Sequence, residues 1–268
     1  MRFSTLSLGG LLLVATAAPA FADDAAPPPA ITISGGATVV SDYRFRGVSQ
    51  TDKNFAVQGT FTIAHESGLY FTVWGSSVDS YVIASAASHQ EIDIIGGWKK
   101  TFSGTTLDVG VLYYFYPKTK FLTGDKASSD FFEPYVSVAH TFGPVTAKAT
   151  VNYAPKQKAL ALDQGFTGTL PKHDNVYLAG DLSAAIPNTP LSLTGHLGHT
   201  FGSGWLAVDF NGKKGYTDWA LGAAVTYKAL TLGVSYVDTD ADWRNPINLN
   251  KISNAGVVAT LGVAFVSP

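Results

Sequence analysis

Apolar side chains alternate with polar or small ones from Ile31 onward, in segments of about ten residues. In one segment Leu107, Val109 and Val111 alternate with Asp108 and Gly110. A period of two is typical of β-strands, because successive side chains point to opposite faces. The pattern predicts twelve strands, at residues 31–43, 55–64, 69–78, 90–102, 105–116, 130–142, 145–154, 174–186, 191–201, 216–227, 230–239 and 255–266.

The predicted connections alternate between short and long. The short ones read HESG, SG, GP, PNTP and KA, and each is followed by a strand and then a longer connection. Outer-membrane barrels have this pattern, with tight periplasmic turns and longer extracellular loops. The predicted fold class is therefore all-β, a membrane-spanning antiparallel up-and-down β-barrel of about twelve strands. A soluble two-sheet sandwich is the alternative, but it has no reason to alternate its loop lengths.

Aromatic residues recur near the ends of the predicted strands. Trp219 and Tyr227 share one face of a strand. At about 3.3 Å per residue and a tilt near 40°, they lie roughly 20 Å apart along the membrane normal. That span is close to the height of the apolar band of such barrels, so aromatic girdles are expected. The predicted girdle residues are Tyr43, Phe115, Phe132, Phe142, Tyr153, Trp219, Tyr227 and Tyr236.

The stretch SDYRFRGVSQT, at residues 41–51, alternates charged and aromatic side chains. In a membrane barrel, Tyr43 and Phe45 are expected to face the lipid headgroups at the outer rim. Asp42, Arg44 and Arg46 then point into the barrel mouth, because an arginine in hydrocarbon costs several kcal/mol. These three residues are the predicted pore rim.

The N-terminus has the features of an export signal. Residues 1–22 combine a basic start, a short apolar run and the small residues Ala20 and Ala22, which predicts a cleaved signal peptide. Residues 23–30 are Pro-rich and predicted to be disordered, and residues 31–268 form the predicted outer-membrane barrel. The expected location is the cell outer membrane. The expected partners are outer-membrane lipid and lipopolysaccharide, and the barrel-assembly machinery during insertion.

Composition restricts the possible functions further. The formal net charge of −2 argues against a nucleic-acid partner. Cysteine is absent, so packing or a membrane must stabilise the exported chain. The chain ends on Pro268, whereas outer-membrane barrels often end on an aromatic residue that the assembly machinery reads.

Candidate catalytic and metal sites are few. His196 and His199 are three apart on a strand, so they face opposite ways and cannot chelate one metal together. If Ile186 pairs with Leu191 across the turn PNTP, His196 lies opposite Asp181. A histidine–aspartate pair can orient a base, but a hydrolase also needs a nucleophile. We therefore expect no catalytic residues, metal or cofactor, with a barrel hydrolase as the enzyme alternative.

The predicted inward face carries more acidic than basic side chains. If Ser103 and Gly104 form a two-residue turn, Lys99 lies opposite Asp108 and both face inward. The predicted pore-lining residues are Glu91, Asp93, Lys99, Asp108, Glu133, Lys148, Asp181, His196 and Asp218. An acidic lumen favours cations. The expected function is a narrow channel for small hydrophilic solutes with a mild cation preference. A barrel with a plugged lumen, serving adhesion or envelope structure, is the main alternative.

Three stretches resemble the TorF family of porins from Gram-negative bacteria. They are SDYRFRGVSQTD from Ser41, AVQGTFTIAHESGLYFTVWGSSV from Ala56 to Val78, and QEIDIIGGW from Gln90 to Trp98. The resemblance is close in the N-terminal third and extends to the later strands only by pattern. It implies an outer-membrane barrel with a channel role, and it brings no established catalytic residues or substrate.

Overall fold

A computed structural model describes residues 30–82, 88–120, 128–161 and 171–267. The predicted signal peptide, nearly all of the Pro-rich segment and Pro268 lie outside the described residues. No helix within these ranges is long and apolar enough to cross a membrane. The described strands are β1 (Ile31–Val40), β2 (Arg44–Phe45), β3 (Val48–Ser49), β4 (Ala56–His65), β5 (Leu69–Ser77), β6 (Gln90–Phe102), β7 (Thr105–Phe115), β8 (Phe131–Phe142), β9 (Val145–Ala154), β10 (Asn175–Ala185), β11 (Leu191–Gly202), β12 (Tyr216–Tyr227), β13 (Leu230–Thr239) and β14 (Gly256–Val266), with a short 3₁₀ helix at Ala159–Ala161.

Twelve of the described strands, all except β2 and β3, form one closed antiparallel barrel. Each strand pairs with its neighbours along the chain, and β1 pairs with both β4 and β14. This is the predicted up-and-down barrel, and the prediction of twelve strands is confirmed. The predicted strand ends agree within one residue, except that β1 ends at Val40 and not at residue 43.

Tight turns fix the register at one end of the barrel. Ser103 and Gly104 have positive φ angles of 46° and 80°, which suit a two-residue hairpin turn. Lys99 is therefore the direct cross-strand partner of Asp108, as predicted. At another turn, the Ile186 amide donates a 2.9 Å hydrogen bond to the Leu191 carbonyl, and Asp181 pairs with His196. Both register predictions are confirmed.

Pro134 lies where one strand pairing begins. The sequence predicts a strand end or bulge there, because proline donates no ladder hydrogen bond. Pro134 is near the start of β8, and the pairing of β8 with β9 starts one residue later, at Tyr135 opposite Asn152. The backbone at Pro134 therefore needs no N–H donor toward β9.

The barrel is apolar outside and polar inside. Large apolar side chains such as Leu182, Leu221 and Val257 are exposed on the outer face. The alternate positions bury polar or charged groups such as Gln58, Thr72 and Glu133 within the lumen. An apolar surface of this extent is unfavourable in water and favourable in contact with lipid.

The connection between β1 and β4 folds into the lumen, which corrects the prediction for its aromatic residues. Strands β2 and β3 form a small antiparallel hairpin with Arg46 and Gly47 at the turn. Both turn residues have positive φ, 48° and 82°, as a tight hairpin with the right twist requires. The prediction that Tyr43 and Phe45 face lipid is wrong, because the chain leaves the barrel wall after Val40 and turns inward. We call residues 42–51 the inner hairpin.

Candidate functional site: the barrel lumen

The lumen holds every side chain predicted to line the pore. Each lies on the inward-facing side of its strand, and the residues are Glu91, Asp93, Lys99, Asp108, Glu133, Lys148, Asp181, His196 and Asp218. Five of them, Glu91, Asp93, Asp108, Glu133 and Asp218, are buried. The inner hairpin contacts two of them, Glu91 and Glu133, and tyrosine hydroxyls bond Asp108 and Asp218, so these carboxylates do not border a wide aqueous pore.

Asp42 organises the inner hairpin from within. It accepts a 2.6 Å bond from the Arg44 Nε and another of 2.6 Å from the Ser49 hydroxyl. The Thr51 hydroxyl donates to the same carboxylate at 3.2 Å. Since this side chain is buried, its charge needs such partners. The carboxylate thus ties the two arms of the hairpin together.

Arg44 attaches the inner hairpin to the connection between β13 and β14. Its Nη1 donates to the carbonyls of Gly47 at 3.0 Å, Asn254 at 2.9 Å and Ile252 at 3.4 Å. Arg44 is therefore buried among carbonyl groups and does not line an open rim. The planar guanidinium suits this role because it offers several donors in fixed directions.

Arg46 crosses the lumen to the opposite wall. Its Nη2 donates to both carboxylate oxygens of Glu133, at 2.9 and 2.8 Å, and its Nη1 to Asn175 at 3.2 Å. The guanidinium carbon lies 4.2 Å from the ring centre of Tyr177. Burial alone would lower the pKa of Arg46, but the charge of Glu133 outweighs it, so the pKa is raised and Arg46 stays charged.

Tyr43 contacts a third part of the wall. Its hydroxyl donates to Glu91 at 3.1 Å, and its ring packs edge-on against Trp74 with ring centres 5.5 Å apart. The residue is 3% exposed. Burial, together with the charges of Glu91 and Asp93, raises the pKa of Tyr43 well above its usual value. The phenol therefore remains a donor to Glu91.

Toward the tight turns, Lys99 and Asp108 form an ion pair. The Lys99 Nζ lies 3.1 Å from Oδ2 of Asp108. Tyr70 donates to Oδ1 of the same carboxylate at 2.8 Å and Tyr135 at 3.3 Å, and the two tyrosine hydroxyls also bond to each other. Lys99 is half-buried, so this end of the lumen is wetter than the end that holds the inner hairpin.

His196 has side-chain partners at both ring nitrogens. Its Nδ1 lies 2.7 Å from Asp181, and its Nε2 lies 3.0 Å from both Asp218 and the Tyr177 hydroxyl. A hydrolytic base needs one nitrogen directed at a nucleophile. In the described part of the chain, neither nitrogen bonds a serine or threonine hydroxyl. His199 contacts Thr217 on the other face of the strand, as its spacing from His196 predicts.

Loops cover the outer end of the lumen. Side chains from four connections surround Phe45 and Val48 of the inner hairpin and leave a cavity of about 60 Å³. They include Tyr81, Trp205, Leu206, Trp243 and Ile252. The inner hairpin thus has the barrel wall around it and apolar loop residues above it. In this conformation the inner hairpin and these loop residues occupy the outer part of the lumen.

The predicted girdle residues other than Tyr43 lie on the outer face. Phe132, Phe142, Tyr153, Tyr227 and Tyr236 are exposed there. Phe115 and Trp219 are half-buried and alternate with inward-facing neighbours. Tyr153 also donates a 3.2 Å hydrogen bond to Asp174, and Tyr236 one of 3.0 Å to Asp238. Their role as a girdle stays a prediction.

Metal-binding geometry is absent from the described residues. No group of three or more histidine, cysteine, aspartate or glutamate side chains among them could hold a metal ion. The sequence contains no cysteine. The polar chemistry of the lumen is that of ion pairs and tyrosine hydroxyls.

The chain belongs to the family described as "Bacterial protein of unknown function (Gcw_chp)", whose model matches residues 24–265. No curated protein matches the sequence. The family description carries no activity. The resemblance to the TorF family stays a prediction.

Solved structures of porins share the fold. The chain is similar to the NanC porin, with a TM-score of 0.55 and 14% identity over 88% of this chain and 99% of that one. It is also similar to the KdgM porin in complex with disordered oligogalacturonate, with a TM-score of 0.50 and 8% identity over 87% of this chain and 98% of that one. The fold is thus that of outer-membrane porins.

Proposed function

We propose that this protein is an outer-membrane channel for the passive passage of small hydrophilic solutes, without enzymatic activity. The observation that carries the proposal is the closed barrel, apolar outside and charged inside. A closed antiparallel barrel leaves no unpaired strand edge in lipid, and its interior provides a polar route across it. The expected partners are outer-membrane lipid and lipopolysaccharide, and the barrel-assembly machinery.

The solutes that we propose are neutral or cationic. Carboxylates outnumber basic side chains on the inward face, and several of them are buried. A negative lumen raises the local concentration of cations and disfavours anions. Arg44 and Arg46 oppose the negative field, so the preference for cations is mild.

Reversal potential in a planar bilayer under a potassium chloride gradient tests this proposal. The wild type is expected to conduct with a small cation-selective potential. The double variant Arg44→Ala with Arg46→Ala is expected to shift further toward cations, because it removes two lumenal positive charges. A clear anion preference in the wild type would contradict the proposed selectivity.

A plugged barrel with an adhesive or structural role is the second candidate. The observation that favours it is the inner hairpin, which lies inside the lumen and bonds to two parts of the wall and to the connection between β13 and β14. A wild-type barrel that inserts into the bilayer and never conducts would support this candidate over the channel. Heat-modifiable migration on gels checks that the inserted protein is folded.

A further inference from the structure

Two buried carboxylates near the inner hairpin lack a compensating charge. Glu91 and Asp93 are on the same face of β6, about 6.6 Å apart along the strand. They are 2% and 1% exposed. Glu91 accepts hydrogen bonds from the phenols of Tyr43 and Tyr116, which are neutral donors. Two carboxyl groups therefore lie together in a dry part of the lumen, and none of the described basic side chains lies beside them.

The basic side chains of the lumen are engaged elsewhere. Arg44 pairs with Asp42, Arg46 with Glu133, and Lys99 with Asp108. Lys148 lies directly across from Asp181. Within the described ranges, no basic side chain forms an ion pair with either Glu91 or Asp93. The protein itself thus leaves this carboxylate pair uncompensated.

Polar atoms beside the pair are also unpaired. Oδ1 of Asp93, Oε1 of Gln58 and Nε1 of Trp74 are inaccessible and have no hydrogen-bond partner. They are on adjacent strands, because Trp74 is the direct partner of Asp93, and Gln58 faces Ser76, which pairs with Glu91. Buried polar groups in native proteins almost always have partners, so such a cluster indicates a bound species.

The chemistry of the cluster selects a cation. A carboxylate away from water is very costly unless a proton, an opposite charge or a metal neutralises it, and a bound cation competes with the proton for that role. The unpaired oxygens of Asp93 and Gln58 can both bind a positive ion. The aromatic rings of Trp74 and Tyr43 pack against each other, with Trp74 opposite Asp93 and Tyr43 bonded to Glu91, and ring faces attract cations. The indole N–H of Trp74 can donate to a water molecule that the cation retains.

We propose that Glu91, Asp93, Gln58 and Trp74 form a binding site for one small monovalent cation beneath the inner hairpin. The site specifies the solute class of the proposed channel. Binding of the cation does not depend on the proposed function, but its passage through the barrel does. A single positive charge suits the site because only two carboxyl groups of the described residues, Glu91 and Asp93, adjoin it, fewer than the three or more acidic, histidine or cysteine ligands of a multivalent metal site. An alkali ion and an organic ammonium share this chemistry.

Unfolding of the detergent-folded protein tests the site independently of conductance. The unfolding midpoint is measured at one ionic strength in rubidium chloride, methylammonium chloride and N-methyl-D-glucammonium chloride, whose cation is too large for the site. Rubidium or methylammonium is expected to raise the midpoint by about 2–4 °C, because a ligand that binds the folded state stabilises it. A rise in rubidium alone assigns an alkali ion. An equal or larger rise in methylammonium assigns an organic ammonium.

Variants locate the effect. Asp93→Asn and Glu91→Gln are expected to lose the cation-dependent rise. The matched control Asp108→Asn removes a lumenal carboxylate that already has Lys99 as partner, and it is expected to keep the rise. Equal midpoints in all three salts, or a rise that Asp93→Asn retains, would overturn the site. If Asp93→Asn does not fold, wild-type crystals grown with the cation that raises the midpoint decide: anomalous signal from rubidium, or electron density for methylammonium, is required in contact with Asp93.

The two proposals fail in different ways. Cation-dependent stabilisation in a protein that never conducts would leave the site intact and remove the channel. Cation-selective conductance with equal midpoints in all three salts would leave the channel intact and remove the site.

Discussion

Arg46 and Glu133 form a bidentate ion pair in the barrel, with Nη2 of Arg46 2.9 and 2.8 Å from the two carboxylate oxygens. Glu133 has no exposed surface, and its side chain also accepts a 3.0 Å bond from the Tyr114 hydroxyl. The pair connects the tip of the inner hairpin to β8. The inner hairpin is thus held by three interactions. They are the ion pair of Arg46 at its tip, the hydrogen bonds from Arg44 to backbone carbonyls, and the hydrogen bond from Tyr43 to Glu91.

Removing one partner of this pair is expected to destabilise the barrel strongly. Arg46→Met leaves Glu133 buried without its cation, which typically costs about 3–5 kcal/mol. The double variant Arg46→Met with Glu133→Leu is expected to recover most of that loss, because both charges are gone. Equilibrium unfolding in urea gives the free energy of unfolding of the wild type, the single variant and the double variant.

The matched control is an exposed pair. Lys213 and Asp240 are 2.8 Å apart, with 47% and 44% of their side chains exposed. Lys213→Met is expected to change the free energy of unfolding by less than about 1 kcal/mol. An Arg46→Met loss as small as that of the control would show that the buried pair does not stabilise the fold.

Replacing Lys99 is expected to lower the free energy of unfolding less than replacing its ion-pair partner Asp108. Lys99→Ala removes a charge whose side chain still reaches water, with 22% of it exposed, and is expected to cost about 1 kcal/mol. Asp108→Ala also removes the acceptor of Tyr70 and Tyr135 and is expected to cost about 2–3 kcal/mol. Urea unfolding of the two single variants checks the order. Equal losses would mean that the tyrosine bonds contribute nothing.

The sequence predicts the barrel well because two local signals agree. The side-chain period of two assigns each residue to a face, and a one-residue slip would reverse every side chain. The turns SG and PNTP leave a single register, which places Lys99 opposite Asp108 and His196 opposite Asp181. The inward carboxylates follow from the same two signals.

The inner hairpin could be predicted only in part. Strict alternation of Asp42, Tyr43, Arg44 and Phe45 is the same in a barrel strand and in a hairpin inside the lumen. Gly47 is the local signal for a turn, but the strand predicted over residues 31–43 ends before it, and the hairpin is not among the predicted elements. The position of the hairpin in the lumen depends on partners 48 to 210 residues away, such as Glu91 and the Asn254 carbonyl. A local sequence pattern carries no information about such distant contacts.

Gly198 is expected to resist substitution because a tyrosine occupies its side-chain space. A Cβ added there would lie 2.6 Å from Cζ of Tyr177 and 2.8 Å from Oδ2 of Asp218. Gly198→Ala is expected to cost about 1–3 kcal/mol through overpacking. Gly180 is a matched control on the neighbouring strand, with nothing within 4 Å of its added Cβ. Urea unfolding is expected to separate the variants, and equal stability would contradict the close packing at Gly198.

Replacing the inner hairpin is expected to open the lumen. A variant in which a short Gly-Ser linker replaces residues 42–51 keeps the pairing of Val40 with Ala56, so the barrel wall stays closed. It removes the hairpin side chains that bond to Glu133, to Glu91 and to the carbonyl of Asn254. It also removes the hairpin side chains that pack against the apolar loop residues above.

Single-channel conductance of this variant is expected to exceed that of the wild type several-fold, since conductance follows the cross-section of the narrowest part. Its reversal potential is expected to move toward cations, because Arg44 and Arg46 leave while Glu91, Asp93 and Glu133 become accessible to water. Heat-modifiable gel migration establishes that the variant is folded. Wild-type conductance in a folded variant would mean that the solute path avoids the inner hairpin, and the narrowest part would then lie among Lys99, Asp108 and His196.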